Sequence, residues 1–341
     1  MTKELNIGIV GLGTVGSGVI KSIEKNKEYF KNNYDVKFNI IGISANSKNK
    51  ERSFDVDSYN WFDEPLELIS EKNIDTIIEL VGGEDGLAYE LAINSLKNKM
   101  NFITANKALI SKHGEELASL SEKNNNFFGF EASVAGGIPI IKTLKESIIL
   151  NEIQKVFAIL NGTSNYILSS MSKLQISFDE ALKDAQDKGY AESDPTLDIN
   201  GEDTAHKLSI LNAIIFSEIP SVESIYVNGI ENVELIDHHY SSDFGYNIRL
   251  IAQSDITDDG VYKEVTPMLV DKDSSLGRVD GANNIIKIIG QESGDVVLEG
   301  QGAGEGPTSS SVISDLVDCA IGSKLHLFSN SFSELSKNNK K

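Results

Sequence analysis

The chain contains a single cysteine, Cys319, so it can form no intrachain disulfide, cysteine-based zinc cluster or redox pair. Arginine is almost as scarce. Only Arg52, Arg249 and Arg278 supply the planar fork that reads phosphates and base edges bidentately. Positive charge is in deficit overall: 31 Lys and Arg face 51 Asp and Glu, and the net charge of −20 repels a nucleic-acid backbone or an anionic membrane surface. Neither a nucleic acid nor a membrane is therefore expected as a partner. No apolar run reaches about 18 residues, and the opening MTKELNIGIVG is charged and glycine-punctuated, unlike a signal sequence. These absences lead to the expectation of a cytoplasmic protein. Histidine is sparse as well. Adjacent His238 and His239 cannot easily converge on one ion, no HxxxH or HExxH occurs, and all five histidines are read as structural.

What is present suffices for folded cores. At 341 residues with 40% hydrophobic and 24% charged content, the chain fits two domains of roughly 150 residues each. Its first 135 residues alternate short β-rich runs, near 5–10, 36–43, 74–81, 101–104 and 127–131, with helix-like stretches at the 3.6-residue period. That pattern predicts a doubly wound parallel sheet, the α/β class. After Pro139 the pattern changes to PIIKTLKESIIL as a helix, a strand in EIQKVFAIL and a mostly helical stretch to Ser217. Further β runs follow near 248–254, 261–270, 284–290 and 295–299. The expected organisation is a dinucleotide-binding domain over 1–138 and an α+β domain over 139–306. A helix over 307–328 is expected to pack back on the first domain, and a flexible tail to cover 329–341.

The segment LNIGIVGLGTVG sets Gly11, Gly13 and Gly16 directly after a strand and at the opening of a helix. Glycine there permits the tight turn, close approach of backbone to a pyrophosphate, and packing of helix on strand, while free amides and the helix dipole face the anion. The second strand ends in IIGISANSKNKERS, where Ser44, Ala45, Asn46 and Ser47 stand without the carboxylate that binds the ribose hydroxyls of NAD. Lys48, Lys50 and Arg52 follow; they can receive a 2′-phosphate or form a solvated basic loop, and the balance favours NADP or use of both cofactors.

The stretch KGYAESDPTLDINGEDTAHKLSILNAIIF, 188–216, is the most informative. On a helix beginning near Gly201, Asp203 and Lys207 are four residues apart on one face that Ile210 and Ile214 continue. With Thr204, Leu208, Leu211 and Ile215 making the neighbouring face apolar, the pair is either an ordinary salt bridge or two charges entering a partly buried cleft. Glu192, Asp194 and Asp198 precede that helix, and carboxylates beside a lysine suit a small zwitterion with an ammonium group. Lys107, in ITANKALI at the carboxyl edge of the sheet, is a helix-start lysine or a functional one.

The fingerprint, TANK, EASVAGGIPI, NGTSNYI and ESDPTLDINGEDTAHK occur in this order from about residue 5 to 322, and the chain closely resembles the homoserine dehydrogenases. The resemblance implies interconversion of L-homoserine and L-aspartate 4-semialdehyde with NAD or NADP, in the route to threonine, isoleucine and methionine. It implies a Rossmann-type domain joined to an α+β substrate and dimerisation domain, acting as a homodimer on a small-molecule substrate. Lys207 and Lys107 become the catalytic lysines, Asp203 the residue positioning the reacting hydroxyl, and Glu192, Asp198, Gly162 and Thr163 substrate contacts. Expected cofactor contacts are Gly11, Gly13, Thr14, Val15, Gly16, Ser44, Lys107 and Gly302. A monovalent cation, Na+ or K+, is expected on Glu131, Val134, Gly136 and Ile138 through backbone carbonyls. The carboxyl-terminal regulatory domain of some relatives is expected to be absent, because the chain ends at Lys341 shortly after the last core helix. A phosphorylating semialdehyde dehydrogenase would need a better-placed nucleophile than Cys319. Another hydroxy-acid or sugar oxidoreductase would not be expected to carry the ESDPTLDINGEDTAHK run. Intact Lys107, Asp203 and Lys207 argue against a catalytically dead nucleotide sensor.

Overall fold

The computed structural model describes residues 2–323, 325–329 and 331. Apart from Ser329 and Ser331, the tail expected over 329–341 lies outside the described residues. The chain divides into two compact units, one of Met1–Lys145, Ala213–Pro220 and Ala303–Lys341, the other of Glu146–Asn212 and Ser221–Gly302.

The first unit is built on five strands, β1 (Lys3–Val10), β2 (Val36–Ser44), β3 (Thr76–Glu79), β4 (Asn101–Thr104) and β5 (Phe128–Gly129). They pair in the order β2-β1-β3-β4-β5, all parallel. Because β1 has β2 on one side and β3 on the other, the connections leaving β1 and β2 run in opposite directions. The carboxyl end of β1 is therefore the crevice where such sheets bind ligands. The helix Thr14–Lys25 begins there and lays Val19, Ile20 and Ile23 on Ile7 and Ile9, all fully buried. Each such side chain contributes about 1.5–3 kcal/mol.

The helix Glu305–Ile321 belongs to this unit. Val312 and Leu316 join the core with Ile7, Ile9 and Val19, Glu305 pairs with Lys21, and a Cβ at Gly18 would meet Glu305 Cγ at 2.7 Å. The unit also retains residues 139–145. The Glu131 carboxylate accepts the Ile141 and Lys142 N–H groups at 2.8 Å each, and Lys142 Nζ donates to Ser314 Oγ at 2.6 Å and pairs with Asp318. These bonds move the division from residue 139 to Lys145. The single helix expected in PIIKTLKESIIL is an α-turn, Ile140–Lys142, running into a π-turn over Thr143–Ser147.

The second unit carries β6 (Ile153–Ile159), β7 (Tyr226–Val227), β8 (Tyr246–Thr257), β9 (Gly260–Asp271), β10 (Asn283–Gly290) and β11 (Gly294–Gln301), ordered β11-β10-β6-β8-β9-β7. All pairs are antiparallel except β7 with β9. The central strands carry apolar residues on both faces. Ile286, Ala158, Ala252 and Val265 lie in register on one, and Ile285, Ile159 and Ile251 pack with Leu276 and Val279 on the other. The two-residue β7 is too short to leave a periodic signal. Helix Gly162–Leu174 follows β6 directly, and Asn212, on helix Glu202–Ile215, accepts the Ser254 hydroxyl at 2.7 Å.

Candidate active site

In the first unit the glycine turn has the conformation its residues permit. Gly11 sits at φ +96°, and a Cβ there would fall 2.5 Å from the Leu80 carbonyl carbon. A Cβ at Gly16 would fall 2.0 Å from Gly11 O, whereas Gly13 faces open space. Gly13 and Thr14 are exposed and Val15 half-buried. The helix has no acidic residue in its first turn to neutralise its positive end. Backbone amides of an exposed helix start, with no Cβ in the way, fit a pyrophosphate.

The loop beside this turn rests on Glu79, at the end of β3 in register with Val10, a residue the sequence reading missed. Its buried carboxylate accepts Val81 N–H at 2.7 Å, Gly82 N–H at 2.9 Å and the Thr104 hydroxyl at 2.6 Å. An acid closing an otherwise apolar strand, TIIE, was the available signal. Asn106 then caps the next helix by accepting Leu109 N–H at 3.1 Å and donates to Gly83 O at 2.6 Å. Lys107, half-buried, is the first residue of that helix. In TANK, then, Thr104 and Asn106 build the loop that carries the lysine.

At the end of β2 the Ser44 hydroxyl is buried without a hydrogen-bond partner among the described residues. Arg52 is committed to backbone carbonyls of its own loop and of the glycine turn: it donates to Leu12 O (3.2 Å), Ser47 O (2.7 Å), Lys48 O (3.2 Å) and Lys50 O (2.9 Å), and lies over Trp61. Lys48 pairs with Asp57 at 2.9 Å, both exposed.

The 131–138 turn is buried. Burial pushes the Glu131 carboxyl up to about 7. The neighbouring Asp315, which accepts Glu131 N–H at 2.9 Å, is held well above the usual carboxylate range, by burial first and then by the Glu131 charge. Since the Glu131 carboxylate is already taken by two amides, a cation would meet its carbonyl. Gly136 O accepts one hydrogen bond from Ser311 (2.6 Å) and Ile138 O one from Ile140 N–H (2.8 Å), so each keeps a second lone pair. Val134 is buried in the same turn. Among the described residues no group of His, Cys, Asp and Glu is placed to hold a metal.

The second unit gathers the charged run. Lys207 Nζ donates to Asp203 Oδ2 at 2.6 Å and to Leu160 O at 2.8 Å, with the two side chains only 12% and 9% exposed. Asn161 Nδ2 donates to Asp203 Oδ2 at 2.8 Å and Asp198 Oδ1 at 2.7 Å. Leu160 O also accepts from buried Asn284, at 3.1 Å. Gly162 and Thr163 open the helix capped by Asn161. A Cβ at Gly162 would meet Ala282 O at 2.6 Å, and the Thr163 hydroxyl donates to Tyr190 O at 2.7 Å. Glu192 is exposed, its carbonyl accepting from Gln186 at 3.1 Å, and no hydrogen bond among the described residues ties its side chain to the Asp203 cluster. Gly302 packs on Asn284, where a Cβ would fall 1.9 Å from Nδ2. Asn161 and Asn284 are the members that sequence reasoning missed. NGT reads as a plain helix cap, and Asn284 is hidden in a β run.

Cys319 offers no nucleophile, because burial pushes its thiol up to about 12.

Residues 139–317 match the family model described as homoserine dehydrogenase, and residues 11–131 match that described as homoserine dehydrogenase, NAD binding domain. The chain is 42% identical to the homoserine dehydrogenase of Helicobacter pylori over 320 residues, 94% of this chain and 75% of the relative. To that of Neisseria gonorrhoeae it is 38% identical, over 93% of this chain and 73% of the relative. Among solved structures, the homoserine dehydrogenase from Thiobacillus denitrificans superposes with a TM-score of 0.89 at 36% identity, covering 93% of this chain and 73% of the other. A hyperthermophilic archaeal homoserine dehydrogenase in complex with NADPH superposes with a TM-score of 0.79 at 27% identity, covering 93% and 98%.

Proposed function

The chain belongs to the homoserine dehydrogenase family, and from that premise we propose that it interconverts L-homoserine and L-aspartate 4-semialdehyde with Lys207 as the residue that moves the proton. It is an NAD(P)-dependent oxidoreductase acting on a CH–OH group, in amino-acid biosynthesis. The observation that carries the assignment of roles is the half-buried ammonium of Lys207, held by one carboxylate and one backbone carbonyl. Two of its three N–H directions are used, and the third is available to a substrate oxygen.

When bound, the nicotinamide takes or returns the hydride. In the reducing direction the Lys207 ammonium gives a proton to the aldehyde oxygen as negative charge develops there, and in the oxidising direction the alcohol proton returns to Lys207. Asp203 fixes where the ammonium points. Lys107, at the start of its helix, acts as the second catalytic lysine. Asp198 and Glu192 attract the substrate ammonium, and Gly162 and Thr163 supply contacts at a helix start.

Gly11, Gly13, Thr14, Val15, Gly16, Ser44, Lys107 and Gly302 serve the cofactor. We favour NADP at least equally with NAD: no carboxylate ends β2 to repel a 2′-phosphate, and the Ser44 hydroxyl is buried there without a partner among the described residues. With Arg52 bound to loop carbonyls, added charge falls to Lys48, whose exposed partner Asp57 holds it weakly. A monovalent cation on the carbonyls of Glu131, Val134, Gly136 and Ile138 would stiffen that turn. A homodimer through the second unit is supported by edge strand β11 and by exposed Val297 and Leu269. A stable monomer in sedimentation at micromolar concentration would refute it. A cytoplasmic location rests on the single cysteine. The deciding experiment is the absorbance of reduced nicotinamide with homoserine and each cofactor, and no turnover with either would overturn the reading.

A further inference from the structure

We infer that Asn161 is a positioning residue for the proton-transfer pair, an inference that rests on the role of Lys207 argued above. Its carboxamide orientation is fixed by chemistry: Oδ1 accepts Ser164 N–H at 2.8 Å as the cap of helix Gly162–Leu174. The NH2 group therefore has to face the two carboxylates, which can only accept. Both of its hydrogens are used, one on Asp198 Oδ1 and one on Asp203 Oδ2, so one neutral group holds two like charges in a single arrangement. Asp203 Oδ2 is also the atom that receives Lys207 Nζ, and the neighbouring Leu160 carbonyl receives the same ammonium.

Successive residues at the end of β6 thus hold both members of the ion pair, Leu160 through its carbonyl and Asn161 through its side chain. Asn161 itself is 4% exposed and Asn284 pins the Leu160 carbonyl from the far side. The helix cap ties this arrangement to the backbone that bears Gly162 and Thr163. Without the carboxamide, Asp203 loses a neutral donor that sets its rotamer against the repulsion of Asp198. A catalytic group released by this much loses geometry worth a large factor in rate.

The test is Asn161→Ser, which retains a side-chain acceptor of equal capping strength but removes both N–H donors. Expected are a folded protein, an unchanged cofactor dissociation constant and a fall in kcat of about tenfold or more. Introduced into Asp203→Asn, the same substitution should cost little further, because its effect runs through Asp203. A helix that merely needs its cap predicts the opposite: kcat kept in Asn161→Ser, or losses that multiply in the double variant, and either result overturns the inference. Should Asn161→Ser fold poorly, Asn161→Thr keeps a neutral side-chain acceptor and is read in the same way, and failure of both to fold assigns Asn161 a structural role. If Lys207→Ala abolishes turnover while Asn161→Ser behaves as wild type, this inference alone fails. If Lys207→Ala turns over normally, the assignment beneath it fails.

Discussion

Replacing Lys207 by methionine removes the ammonium while keeping the length of the side chain, and two separate losses should follow. The first is chemical. A positioned acid–base group supplies about 10²–10⁴-fold, roughly 2.7–5.4 kcal/mol of barrier, so kcat should fall by at least about 100-fold. The second is structural. Asp203 is 9% exposed and its partner 12%, so Lys207→Met takes the ammonium away from a buried carboxylate, a loss of about 3–5 kcal/mol and of about 5–15 °C in melting temperature. The double variant Lys207→Met/Asp203→Asn separates the two, because a neutral amide oxygen still accepts the Asn161 N–H while no charge is stranded. It should recover most of the stability and none of the turnover. Reduced-nicotinamide absorbance measures kcat, its fluorescence follows cofactor binding, which should be nearly intact, and a thermal melt measures stability. Near-wild-type turnover in the single variant would refute the role of Lys207, and an unchanged melt would refute the burial of the pair as a source of stability.

Gly11→Ala should weaken both fold and cofactor binding: φ +96° with Leu80 carbonyl atoms 2.5 Å from the new methyl costs about 1–3 kcal/mol, and a fluorescence titration should show at least about tenfold weaker binding. His238 is 2% exposed, and burial with the nearby Arg249 charge depresses its imidazole from 6.5 to about 4. Its stabilising contribution is therefore complete above pH 6.5 and is lost as pH falls towards 4, up to about 3 kcal/mol, because the unfolded chain takes up the proton first. His238→Phe should flatten the melting temperature between those pH values, and an unchanged slope would refute it. Wild type should use NADP with kcat/KM at least equal to that for NAD, and Lys48→Glu should shift the ratio towards NAD. A wild-type preference for NAD beyond about tenfold, roughly 1.4 kcal/mol, would contradict the reading of the β2 end.

The strand–turn–helix around Gly11 and the face shared by Asp203 and Lys207 were legible because both are local. A glycine fingerprint and an i,i+4 spacing fix geometry within one turn of backbone, whatever surrounds them. The α/β pattern of the first half was legible for the same reason, since strand and helix periods are written in consecutive residues. What needed the tertiary structure was every bond made across sequence distance. Glu79 reads as the end of a strand until Thr104 and the 81–82 amides converge on it. The chain passes residues 139–145 to the first unit because a carboxylate at Glu131 collects two amides ten and eleven residues on. Arg52, which spacing alone left open as a phosphate ligand, proves to be bound to four loop carbonyls. Asn161 reads as an ordinary cap until Asp198 and Asp203 fold onto its free amide, a pairing that no periodicity encodes because it is set by how β6 meets the helix Glu202–Ile215.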